Sequence, residues 1–75
     1  MSLQDTTERI ESMVRAVEAD PEHIGVLSTG EKIAVALVLD RVDLFPRGNY
    51  TILEAVDRLG PDWLRAAIAA QKARS

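Results

Sequence analysis

The segment STGEKIAVALVLDRVDLF, Ser28–Phe45, decides the fold of this chain. Ser28 and Glu31 have the spacing of a capping box, which predicts the start of a helix. Nearly every residue from Ile33 to Leu39 is apolar, so this helix has no face suited to water and must be surrounded by other elements. We therefore predict a buried central helix over about residues 30–42.

The elements around the central helix are also predicted to be helices. Their start and end signals, in chain order, are Asp5 with Glu8, Asp20-Pro21, Thr51 with Glu54, and Gly60-Pro61. The predicted fold class is all-α, a compact bundle of about four or five short helices in one domain over residues 1–75, with frayed ends at 1–4 and 72–75. The side chains expected to form the core are Ile33, Val35, Leu37, Val38, Leu39, Val56 and Leu59.

Composition excludes several classes of function. The 75 residues include no cysteine and one histidine, so neither a disulfide framework nor a zinc site of thiolates and imidazoles can form. The net charge of −3 is not that of a typical nucleic-acid-binding domain, which is basic. Because no apolar run reaches the length of a membrane span and residues 1–11 do not resemble a signal peptide, we expect a cytoplasmic protein without membrane contact.

Local patterns that suggest chemistry have simpler explanations. Residues 25–32, GVLSTGEK, are superficially similar to a phosphate-binding loop, but Glu31 stands at the lysine position and would repel phosphate. Asp40 and Asp43 are interspersed with arginines, which indicates surface ion pairs, and Glu54 with Arg58 has the spacing of another. We therefore predict a protein that is not an enzyme, with no catalytic, metal or cofactor site and no small-molecule substrate.

The segment Thr51–Ile68 resembles a helix-turn-helix, because Gly60 separates two predicted helices and the small Ala55 suits their crossing. The resemblance implies a DNA-binding regulator that uses residues 51–71. A recognition helix, however, presents polar and basic side chains from its first turns, and here only Arg65 suits that role. DNA binding is accordingly the alternative hypothesis, and nucleic acid is not the favoured partner.

The favoured hypothesis is a non-catalytic, small cytosolic protein-interaction or regulatory module that self-associates as a homodimer. Its basis is a surplus of apolar helix faces over what so short a chain can bury. Tryptophan is frequent among interface anchors, so Trp63 is a candidate contact with the partner. An equal alternative is that Trp63 closes the end of the bundle against Phe45 or Tyr50, and both roles can hold together in a dimer. The predicted interaction surface consists of Trp63, Leu64, Arg65 and Ile68.

Overall fold

The computed structural model describes residues 2–46 and 51–74. This part of the chain contains helices and no strand, so the prediction of an all-α bundle is confirmed. The α-helices are α1 (Leu3–Ala19), α2 (Thr29–Leu39), α3 (Ile52–Leu59) and α4 (Pro61–Ala73), and short 3₁₀ helices cover Pro21–Val26 and Val42–Leu44. Residues 3–4 and 72–73, in the segments expected to fray, therefore belong to regular helices.

The N-terminal cap of α1 differs from the prediction. Ser2, not Asp5, caps the helix, because the Ser2 Oγ accepts a hydrogen bond from the Asp5 backbone N–H at 3.1 Å. Ser2 and Asp5 themselves have the spacing of a cap and its target, and starting at Ser2 extends the helix by most of a turn. The predicted boundary at Asp20-Pro21 is confirmed, since α1 ends at Ala19 and a 3₁₀ helix starts at Pro21.

The start of α2 is confirmed and its predicted end is wrong. Both hydrogen bonds of the Ser28–Glu31 capping box are present, at 2.8 and 3.3 Å. The helix ends at Leu39 and does not continue to residue 42, because Asp40 adopts a left-handed conformation with φ of 55°. The Arg41 N–H then bonds back to the Ala36 carbonyl at 2.9 Å, which is the long hydrogen bond of a Schellman motif.

Helix α2 occupies the centre of the bundle, as predicted. It contacts each of the other three α-helices. Its buried residues are Ile33, Ala34, Val35, Ala36 and Val38. A side chain of α4 also caps the C-terminal end of α2, since the Gln71 Nε2 donates to the carbonyl oxygens of Leu37 and Val38 at 3.4 and 3.3 Å.

The buried core differs in part from the predicted one. Among the residues expected there, Ile33, Val35, Val38 and Leu59 are buried, whereas Leu37, Leu39 and Val56 are half-buried. An α2 sequence that is apolar on all sides does not reveal which residues are fully buried, and Leu37 and Leu39 belong to the last turn of the helix. The other buried apolar residues, which the prediction did not name, are Ile10, Val14, Val17, Ala34, Ala36, Ala55, Ala66, Ala67 and Ala70.

Ion pairs connect helices that are distant in sequence. Arg9 of α1 pairs with Glu31 of α2 at 2.7 Å, and Glu18 of α1 pairs with Arg74, just beyond α4, at 2.7 Å. The predicted pair of Glu54 with Arg58 is absent from the described residues, because the Glu54 carboxylate accepts the Thr51 backbone N–H at 3.1 Å as part of a capping box. The tertiary pairs therefore link α1 to the start of α2 and to the end of α4.

Candidate protein-interaction surface

The four residues of the predicted interaction surface do not all share one side of α4. Leu64 and Ile68 line a cavity that also borders α2 and α3. Trp63 and Arg65 line another cavity, which borders the N-terminal end of α1. Trp63 is five residues from Ile68, about 140° around the helix, whereas Arg65 is three residues from Ile68, about 60° around it. Arg65 therefore lies beside the side of α4 that carries Leu64 and Ile68, and Trp63 does not.

The cavity at the junction of α2, α3 and α4 has a volume of about 180 Å³ and is open to solvent. We call it the apolar groove, and its lining residues are Leu37, Val56, Leu64, Ala67, Ile68 and Gln71. Gln71, the polar member, is engaged with the end of α2. The remaining lining is aliphatic, so the groove is suited to apolar side chains from a binding partner.

The apolar surface extends from the groove along α3. Ile52 and Leu53 precede Val56 by about one helical turn and therefore share its side of the helix. They are strongly exposed, at 57% and 81%, and Ile68 across the groove is 46% exposed. Sequence analysis missed this contribution of α3. The available signal was that α3 carries more apolar residues than the face containing Ala55 and Leu59 can accommodate.

Trp63 joins three helices and is half-buried. The Arg9 guanidinium carbon lies 5.9 Å from the centre of the Trp63 ring, at a cation–π distance, and the same guanidinium pairs with Glu31. The cavities beside Trp63 are lined by residues of α1 and of the start of α2. Tyr50, one of its expected neighbours, lies outside the described residues. Trp63 therefore has a structural role between α1, α2 and α4.

The charges near Trp63 are fixed by the same contacts. The pKa of Glu31 is lowered, first because its carboxylate accepts the Ser28 backbone N–H, and further by the Ser28 hydroxyl and Arg9. The ionised Glu31 carboxylate thus both caps α2 and pairs with Arg9. Removing its charge would loosen both the helix start and the Arg9 side chain that covers Trp63.

The α3–α4 pair departs from a helix-turn-helix in its connection. Only Gly60 separates the two helices, whereas that motif uses a turn of about 3–4 residues. Gly60 makes the sharp change of direction possible, because its φ of +86° with ψ of 163° is a conformation open essentially to glycine. The exposed side of α4 carries Asp62 as well as Arg65 and Lys72. The resemblance to a DNA-binding motif therefore does not extend to its geometry.

The acidic residues and the phosphate-loop-like segment have structural partners. Asp43 pairs with Arg41 at 2.7 Å, which lowers the pKa of Asp43 chiefly through that side-chain hydrogen bond. Asp40 ends α2, and Ser28 caps its start. Within residues 2–46 and 51–74, no group of three or more histidine or carboxylate side chains is placed to hold a metal ion.

The chain matches no protein-family model, no curated protein and no solved structure. No helix in the described part is both long and apolar enough to cross a membrane. The apolar groove is therefore interpreted from its own residues.

Proposed function

We propose that this protein is a small, non-catalytic, cytosolic protein-interaction module that self-associates through the apolar groove and the adjoining exposed residues of α3. The cytosolic location rests on the composition of the sequence. The interaction role rests on the way large and small apolar residues are distributed over α3 and α4.

The observation that carries the proposal is an inverted distribution of side-chain size. Helix α4 buries Ala66, Ala67 and Ala70, while the larger Ile68 remains 46% exposed. Helix α3 buries Ala55 together with Leu59, and leaves Leu53 81% exposed. Burying a large aliphatic side chain contributes about 1.5–3 kcal/mol, far more than an alanine methyl provides. Leu53 and Ile68 would therefore gain much more from burial than the alanines that these two helices already bury, which supports a second molecule as their cover.

Contiguity adds to this argument. Single exposed apolar residues are ordinary on protein surfaces, but contiguous ones mark interaction sites. Ile52 and Leu53 adjoin Val56, whose side chain borders the groove opposite Ile68. Together they form one apolar surface that spans two helices and surrounds a concave centre.

Sedimentation equilibrium over a wide concentration range tests the proposal with the full chain. Wild type is expected to form a dimer, and Leu53→Glu to dissociate it. Two copies of Leu53 are buried in a symmetric dimer, so losing about 3–6 kcal/mol raises the dissociation constant by at least about a hundredfold. Ile68→Glu is expected to act in the same direction.

Val26→Glu is the matched control, since Val26 is 74% exposed but belongs to the first 3₁₀ helix, away from the groove. It should leave the dissociation constant unchanged. Trp63 emission should also stay constant on dilution, because Trp63 faces a different side of α4. A wild-type protein that remains monomeric at millimolar concentration would contradict self-association.

A further inference from the structure

Charged residues beside the apolar groove have opposite signs on its two sides. On α3, Asp57 follows Leu53 by one helical turn and shares its side of the helix. On α4, Arg65 precedes Ile68 by three residues and Lys72 follows it by four, so both share the side of Ile68. All three charged residues are exposed. The rim of the groove is thus acidic on α3 and basic on α4.

The charges of opposite sign on each helix, Arg58 on α3 and Asp62 on α4, are farther from the groove than the rim charges. Asp62 lies one turn before Arg65 and lines a different cavity with it. Arg58 is five residues from Leu53, and Asp62 is six residues from Ile68. At 3.6 residues per turn, these spacings place Arg58 and Asp62 well away from the apolar side chains. The charges next to the groove are therefore segregated by sign, one sign to each helix.

The rim charges have no ionic partner within the described part of the same chain. The pairs found there are Arg9–Glu31, Arg41–Asp43 and Glu18–Arg74. Asp57, Arg65 and Lys72 belong to none of them. They are consequently available to pair with charges on another molecule.

We propose that the groove is covered by a second copy of this chain, with α3 of each copy lying along α4 of the other. This inference rests on the proposed self-association and adds its geometry. In a two-fold arrangement of this kind, Asp57 of each copy meets Arg65 and Lys72 of the other, so the complementary contact occurs twice. The opposite arrangement, α3 on α3, would bring like charges together, which disfavours it.

The area required by such a dimer is compatible with two helix faces. A standard interface takes about 800 Å² from each partner, roughly a sixth of the 4949 Å² accessible surface of this chain. The outer faces of α3 and α4 belong to two of the four α-helices. A second copy can therefore cover the groove while α1 remains outside the contact.

The test uses two full-length variants with complementary rims. Asp57→Lys makes both rims basic, and the double variant Arg65→Asp/Lys72→Asp makes both acidic. Each variant alone should dimerise more weakly than wild type, by roughly tenfold or more at low salt. Mixed in equal amounts, they should form a heterodimer, because every rim then faces its opposite sign. Native mass spectrometry distinguishes the two homodimers from the heterodimer by mass.

Two controls separate this geometry from general charge effects. Arg58→Asp reverses a charge on α3 away from the rim and should leave dimerisation close to wild type. At about 1 M salt, where screening acts within about 3 Å, the differences among the rim variants should largely disappear. Circular dichroism establishes that each variant is folded.

The possible failures of the two proposals are distinguishable. If Leu53→Glu dissociates the dimer but Asp57→Lys homodimers are as tight as wild type, the proposed pairing of α3 with α4 is overturned while self-association through the groove stands. If the two rim variants show no preference for the heterodimer, the pairing is likewise overturned. A strictly monomeric wild type overturns both proposals.

Discussion

Two substitutions to aspartate, Val35→Asp and Leu37→Asp, separate the buried face of α2 from the face that lines the groove. The two positions are two residues apart on the same apolar helix, about 200° around its axis, and the sequence alone treats them as equivalent core residues. The structure distinguishes them, since Val35 is 0% exposed and Leu37 is half-buried at the edge of the groove. We expect Val35→Asp to unfold the protein and Leu37→Asp to leave it folded.

The magnitudes follow from burial. A chain of 75 residues has a stability of roughly 4–11 kcal/mol. A carboxyl group placed at Val35 would have its pKa raised by about 3–5, because burial disfavours the charged form. The folded protein would then hold this carboxyl largely protonated at pH 7, and the cost relative to the ionised unfolded state is about 4 kcal/mol. Losing the valine adds about 1.5 kcal/mol. The total approaches or exceeds the stability of the fold.

The cost at Leu37 is smaller because the introduced carboxylate can reach solvent through the open groove. Losing about half of a buried leucine costs about 1–2 kcal/mol. Leu37→Asp should therefore unfold cooperatively at a lower urea concentration than wild type, with the same dependence of the unfolding free energy on urea. Since Leu37 lines the groove, this folded variant should also fail to dimerise.

Urea titrations followed by far-ultraviolet circular dichroism at pH 7 measure both effects. Val35→Ala and Leu37→Ala serve as controls that shorten the side chain without adding charge. Lowering the pH toward 4 should restore structure to Val35→Asp, because the cost of protonating the buried carboxyl falls as the pH approaches the ordinary aspartate pKa. The assignment of the two faces would be refuted by a Val35→Asp protein that unfolds at the wild-type urea concentration, or by a Leu37→Asp protein that is unfolded in water.

Three further predictions follow from the backbone and the carboxylates. Asp40→Gly should stabilise the protein by up to about 1 kcal/mol in thermal melts, because φ is 55° there, and Asp40→Val should destabilise it. Gly60→Ala should lower the free energy of unfolding by about 1–3 kcal/mol through backbone strain alone, since no atom lies within 4 Å of an added Cβ. Gly30→Ala inside α2 should be neutral or stabilising, and equal effects of the two substitutions would contradict the assigned backbone conformations. The folded-state pKa values of Glu18 and Glu31 are lowered, chiefly by hydrogen bonds from the Arg74 side chain and the Ser28 N–H respectively. The stabilisation by these two carboxylates is therefore present above the ordinary glutamate pKa of about 4.3 and is lost as the pH falls through their folded-state pKa values. Urea midpoints at pH 7, 5 and 3 should show this loss, and Glu31→Gln should reduce it.

The helix starts were predictable because their signals are local. A capping box joins residues three apart, and the boxes of Ser28 with Glu31 and Thr51 with Glu54 are both present. The start of α1 shows the limit of such local signals, since Ser2 and Asp5 are both suitable cap residues and the structure places the cap at Ser2. The end of α2 was not predictable from the usual signal, because its left-handed residue is an aspartate and not a glycine.

Contacts between segments distant in sequence could not be predicted from local sequence patterns. The expected pair of Glu54 with Arg58 would lie within one helix, whereas the observed pairs of Arg9 with Glu31 and Glu18 with Arg74 join residues 22 and 56 positions apart. The same limit applies to the interaction surface. Sequence placed it on α4, but only the packing of α4 shows that Trp63 faces α1 while Ile68 faces the groove.

The alanine-rich interior explains why this chain has large apolar residues left exposed at its surface. Among the buried apolar residues of the described part, Ala34, Ala36, Ala55, Ala66, Ala67 and Ala70 come from three different helices. Small side chains let helices approach closely, but each buries little area, so the core of the monomer is modest. Exchanging large and small residues on α4 would enlarge that core and remove the groove. The present arrangement instead leaves Leu53 and Ile68 largely at the surface, where their burial can stabilise a complex. Association through them would then also stabilise the fold.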